Sequence, residues 1–135
     1  MTDINVGAIT EALNDKTDRD LQNVDTTAKA DAVIDFQLPT AENGYTWYRK
    51  YKSGWVEQGG RTAKNVSHAS VIFPIVMANT DYHCNTTIRN DGSGSGGGFN
   101  NCAGIDTVST TGFNIDMPAS ANYFVLWEVK GIAAQ

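Results

Sequence analysis

The spacing of apolar side chains changes character near residue 34. Before that point they are few and fall in threes and fours: Val6, Ile9 and Leu13, then Leu21, Val24 and Ala28. Such spacing marks one face of a helix. Each cluster covers under two turns, the intervening "NDKTDRD" is wholly polar, and residues 1–33 hold no aromatic side chain. Neither piece has an apolar stripe wide enough to keep a helix folded alone in water. Residues 1–33 therefore predict a short helical or extended stalk that needs partners, most simply copies of itself, with a solvated leader as the alternative.

From residue 34 onward the period shortens to two. "GFNIDMP" alternates cleanly, with Phe113, Ile115 and Met117 on one side and Asn114 and Asp116 on the other. "NYFVLWEVKG" puts Tyr123, Val125, Trp127 and Val129 on one face, while Phe124 and Leu126 add apolar weight to the other, as expected of a central strand covered on both sides. Pro74 in "VIFPIVM" has no amide to give a ladder, which places it at an edge or a bulge. In "TWYRKYKSGWVEQGG" two runs meet at Ser53-Gly54, a tight-turn pair, so the stretch predicts a hairpin. Strand alternation sets Trp47, Arg49 and Tyr51 against Tyr48, Lys50 and Lys52. On size, Trp47 and Trp55 are expected in the core, leaving Tyr48, Lys50 and Lys52 outside. Short strands bounded by Gly, Pro, Asn and Ser predict a mostly β body over residues 34–135, an antiparallel sandwich of six to eight strands.

Length and charge narrow the functions. A chain of 135 residues is long enough to bury a real core in one domain. Its net charge of -5 opposes an electrostatic grip on nucleic acid. No apolar run reaches the ~18 residues of a spanning helix, and the first residues lack the basic and apolar blocks of a secretory leader. The expectation is a soluble chain that neither binds nucleic acid nor inserts in a membrane.

Catalytic motifs are absent: no G-x-S-x-G, no phosphate-cradling Lys-Ser/Thr after the glycines of residues 92–98, no His-Glu-x-x-His and no Cys-x-x-Cys. No catalytic residue, cofactor or metal set is predicted. His83 and Cys84 point to opposite faces of a strand, and a single His68 or His83 could hold an ion only on a three-fold axis. Cys84 and Cys102 straddle a glycine-rich stretch; free thiols are the simpler expectation, a bridge across a hairpin the other. That stretch, "NDGSGSGGGFNN" over residues 90–101, exceeds what a turn needs, and it reads either as a binding loop or as an inert linker.

The order "ITEALNDKTDRDLQNV", "GYTWYRKYKSGWVEQGG", "VIFPIVMANTDYHCNTTI" and "TTGFNIDMPASANYFVLWEVKG" resembles the C-terminal part of bacteriophage tail fibre proteins over nearly the whole chain. The resemblance implies a trimeric, non-enzymatic tip in the virion that contacts a receptor on the bacterial surface, with a saccharide as the expected ligand. More loosely, "VIFP", "TTGFNI" and "VLW" are similar to the H-type lectin pattern, a trimeric sugar-binding β-sandwich, from which no sugar-contact residue carries over. Under this reading Arg89, Asn90, Asp91, Asn100 and Asn101 are candidates to hydrogen-bond sugar hydroxyls, Phe99 to stack on a ring, and Tyr48, Lys50 and Lys52 to form a secondary contact. A structural fibre-end module without receptor contact is the alternative. A glycan-cleaving tip needs a long β-helix or propeller that this length cannot hold.

Overall fold

The structure is a computed structural model that describes residues 31–91, 103–117 and 122–135. The stalk expected over residues 1–33 lies almost wholly outside them, so its helicity and its role in assembly are not addressed. Eight strands occur among the described residues: β1 (Val33–Gln37), β2 (Trp47–Tyr51), β3 (Trp55–Arg61), β4 (His68–Ile72), β5 (His83–Asn90), β6 (Gly104–Asp106), β7 (Gly112–Asp116) and β8 (Tyr123–Ile132). No helix is found among these residues. Two antiparallel sheets result, a five-stranded one in the order β1-β2-β3-β8-β5 and a three-stranded one in the order β4-β7-β6.

The period-two segments became strands with the expected inner faces. Phe113, Ile115 and Met117 are buried, as are Val125, Trp127 and Val129 from the opposite sheet. β8 is central, paired with β3 on one side and β5 on the other, and its second face buries Phe124 as well. Pro74 falls just beyond β4, outside any ladder. Ser53 and Gly54 make the β2-β3 turn, with Gly54 at φ 91° and its amide donating to the Tyr51 carbonyl.

The aromatic hairpin is turned the other way from expectation. Tyr48 pairs with Gln58 and Lys50 with Val56, and both β3 partners are fully buried, so Tyr48 and Lys50 share the core side. Trp47, Arg49, Trp55 and Glu57 lie on the outer face. Size alone misassigned them, because the space is set by glycine. A Cβ on Gly60 would come 2.8 Å from the Trp127 ring, and one on Gly59 would come 2.7 Å from Trp47 Nε1. Each indole therefore lies against a bare backbone, Trp127 inside and Trp47 outside.

Phe73 organises the core. Its ring stacks on Trp127 at 5.9 Å with the planes inclined by 30°, and meets Phe113 at 5.5 Å and Tyr82 at 5.3 Å edge-on. The segment after β4 is held from across the core by Gln58, which is completely buried. Its amide accepts from the Ile75 N–H at 2.9 Å and donates to the Ile75 carbonyl at 2.8 Å, as a neighbouring strand would. Met77 then pairs with Ala133, extending the contact to the end of the chain.

Two substitutions test this core. Trp127→Ala should lower stability by about 3 to 5 kcal/mol in urea unfolding, the range for truncating a buried aromatic. Gln58→Leu keeps the volume but strands two half-buried backbone groups of Ile75, and should cost on the order of 2 kcal/mol; an unchanged midpoint would show the amide pair to be dispensable.

Candidate functional site

The face of the five-stranded sheet turned away from the core carries a cationic, aromatic cluster. In antiparallel ladders, residues directly opposite share a face, so Arg89 on β5 stands beside Phe124 on β8, and Arg61 on β3 beside Leu126. The two guanidinium groups flank the Phe124 ring, Arg61 at 5.3 Å and Arg89 at 5.5 Å from its centroid. Tyr45 closes over Arg61 at 3.5 Å, leaving that guanidinium between two aromatic rings.

Local chemistry places Tyr45 there. The loop of residues 38–46 folds on Asn43, whose side chain accepts from the Thr40 amide and donates to the Leu38 carbonyl. The chain then turns through Gly44 at φ 67° and Tyr45 at φ 61°. A left-handed conformation is ordinary for glycine and costs a bulky residue about 1 to 2 kcal/mol.

Below this pair sits a small ionic network. Lys64 Nζ lies 2.7 Å from Asp91 and Arg89 3.5 Å from the same carboxylate. The hydrogen bond from Lys64, followed by the field of Lys64, Arg89 and Arg61, holds the Asp91 carboxyl below its ordinary value. Three cations thus face one carboxylate. Beside them Gly44, Tyr45, Arg61, Lys64 and Phe124 contribute to a hollow of about 460 Å³. A second, of about 350 Å³, shares the Arg61–Ala63 segment and leads towards His68 and Ser70.

The structure brings together only part of the residue set expected from sequence. Arg89 and Asp91 join this cluster. Asn90 is on the opposite side of β5 from Arg89, half-buried. Phe99, Asn100, Asn101 and Cys102 lie outside the described residues, so the loop's tip is not addressed; Cys84 carries a free, half-buried thiol whose pKa is raised by burial. Tyr48 points inward and donates to Asp35 at 3.1 Å, Lys50 is beside it on the same side, and Lys52 is exposed in the turn. Tyr45, Arg61, Lys64 and Phe124 were missed. Nothing local marks them, because they meet only through the β3-β8-β5 strand order.

On the outer face of the smaller sheet, His68 Nδ1 lies 2.5 Å from Asp116 Oδ1, and Ser70 donates to Asn114 at 2.9 Å. Ser70 is thus engaged by the amide and not by the imidazole, so the patch lacks the nucleophile-to-base bond of acyl transfer. No group of three metal-ligating side chains occurs among the described residues.

A fold similar to this two-sheet arrangement occurs in R1-type pyocin tail fibres. An N-truncated R1-type pyocin tail fibre aligns over 96% of this chain and 98% of its own, with a TM-score of 0.53 at 15% identity. The C-terminal part of the Pseudomonas aeruginosa R1 pyocin fibre aligns over 74% of this chain, with a TM-score of 0.51 at 16% identity. The chain spans 39%, 26% and 29% of three such R1 and R2 fibre chains. At these identities the likeness is one of fold. No family model and no curated protein matches the sequence.

The His68–Asp116 pair makes a pH-dependent contribution. The hydrogen bond to Asp116, then its charge, raises the His68 pKa above 6.5. With the folded value raised, the stabilisation is fully present below the unfolded pKa and is lost as pH rises through the folded one. An NMR titration should find the His68 midpoint above 6.5 in the native chain and shifted down in Asp116→Asn. Equal midpoints would show that the pair does not form in solution.

Proposed function

We propose that this chain is the receptor-binding end of a phage-like tail fibre, a non-enzymatic homotrimer at the fibre tip that attaches the particle to a saccharide on a bacterial surface. The fold likeness to R1-type pyocin tail fibres over nearly the whole chain carries this reading. The cluster of Arg61, Lys64, Arg89, Asp91 and Tyr45 is the proposed recognition surface, with Phe99, Asn100 and Asn101 of the segment that follows as further proposed contacts; Asn90, on the other side of β5, is not part of it. Lys52, exposed at the hairpin turn, is the remaining outward member of the secondary set, whose Tyr48 and Lys50 turn inward.

Assembly has support in the edge that β1 forms in the larger sheet among the described residues. β1 is an edge strand, and Ile34, Phe36 and Leu38 are 60%, 61% and 68% exposed. An apolar edge of this kind is an aggregation hazard unless something covers it. Beside it Phe36, Leu38, Pro39 and Trp47 help line a groove of about 480 Å³. A second copy of the chain is the occupant that fibre symmetry supplies.

Two measurements test the proposal. Light scattering should give three times 14.6 kDa, and a monomer mass for the intact chain would remove the trimer. Labelled protein, applied to a panel of bacterial strains, should adsorb to some of them. Replacing residues 92–98 by Asn-Gly should lower that adsorption at least tenfold while leaving mass and melting temperature unchanged, since a trimer multiplies weak contacts. Full adsorption by the shortened chain would take the loop out of the recognition surface.

A further inference from the structure

We propose that the hollow beside Arg61 is a binding site for an anionic sugar, a ring bearing a carboxylate or a phosphate. The inference deepens the receptor-binding reading and rests on it for the choice of a saccharide.

Arg61 carries the argument. Its guanidinium lies between Tyr45 at 3.5 Å and Phe124 at 5.3 Å, so its plane is held before any ligand arrives. Among the described residues it makes no hydrogen bond and no ion pair, although Asp91 is near enough to feel its charge. Lys64 and Arg89 are already engaged with that carboxylate. Arg61 therefore presents a fork of N–H donors, stacked and preorganised, with no acceptor of its own. Oxyanions match that fork better than any neutral group does, and a stacked guanidinium loses little freedom on binding them.

Charge favours the same class of ligand. The chain as a whole is acidic, at -5, yet this corner gathers three cations around one carboxylate. A local excess of positive charge on an acidic protein selects a small anion and not a polyanion, whose remaining phosphates would meet the acidic surface. The hollow's volume of about 460 Å³ suits a single pyranose ring. Tyr45, 38% exposed, supplies a ring edge and hydroxyl at the rim, and it is held there by the strained backbone at φ 61°. The adjoining hollow across the Arg61–Ala63 segment gives the next ring of an oligosaccharide a place to continue.

The test is an NMR titration of the full-length, isotope-labelled chain with four compounds: sodium glucuronate, glucose 6-phosphate, glucose and inorganic phosphate. Glucuronate or glucose 6-phosphate should shift the Arg61 side-chain N–H and Tyr45 amide signals in a saturable way, and comparison of the two shows whether carboxylate or phosphate is preferred. Binding should weaken at least tenfold in Arg61→Gln and in a second variant, Lys64→Gln, each with an unchanged melting temperature, and should fall with added salt. Glucose acting as strongly as glucuronate would overturn the anion, inorganic phosphate acting as strongly as glucose 6-phosphate would overturn the sugar, and no saturable shift with any compound would overturn the site. Adsorption to bacteria by the native chain is scored separately. Its absence on every strain would sink the receptor-binding reading, while the titration decides the sugar site by itself.

Discussion

The architecture depends on two adjacent residues without side chains. Gly59 and Gly60 sit near the C-terminal end of β3, and each leaves room for an indole on its own side of the sheet. The close approach of Trp127 to Gly60 sets the ring against the backbone, where Phe73 stacks on it at an angle of 30° and in turn meets Phe113 and Tyr82 edge-on. From Phe73 the chain runs directly into the segment that Gln58 holds by both of its amide groups. A side chain at Gly60 would displace Trp127, and with it the ring that joins the two sheets. Gly59 is confined as well by the Trp127 carbonyl, 2.6 Å from where its Cβ would be, so the backbones of β3 and β8 set the limit there.

The same strand connects core and surface. Val56 and Gln58 face the interior, the two glycines admit their indoles, and Arg61 at the strand's end emerges beside Phe124. Rigid sheet backbone therefore supports the cationic cluster at Arg61, Arg89 and Phe124, while Tyr45 and Lys64 reach it from loops. Sites assembled in this way keep their charged groups in place through the ladders and adapt at the rim. The salt bridge of Arg49 with Glu57 at 3.3 Å, elsewhere on this face, joins an exposed guanidinium to a half-buried carboxylate and contributes little to stability.

Strand existence was legible wherever one face is apolar and the other polar. Phe113, Ile115 and Met117 show that alternation directly, and β8 announced its central position by being apolar on both sides. The Ser53-Gly54 turn was equally readable, because only a few residue types accept its geometry. Orientation of the aromatic hairpin was not. Trp47 and Trp55 are larger than Val56 and Gln58, yet the smaller residues are inside, since the cavity they fill is shaped by Trp127 from a strand far along the chain. A glutamine at full burial gives no signal in sequence either; its partner is the backbone of Ile75, which any residue supplies. Of the cationic cluster, Arg89 and Asp91 were found through the loop they adjoin, whereas Tyr45, Arg61, Lys64 and Phe124 converge only once β8 lies between β3 and β5.

That central placement of β8 also dictates an order of events at the ribosome. The hairpin of β2 and β3 is local and can form as soon as it is made, but β3 and β5 have no ladder with each other and meet only through β8. Val56 pairs with Gly131 and His83 with Lys130, so closing the larger sheet waits until the strand ending at Ile132 has left the exit tunnel. Contacts so distant in sequence form slowly, and until they do the inner faces of both sheets stay open to solvent and to neighbouring nascent chains.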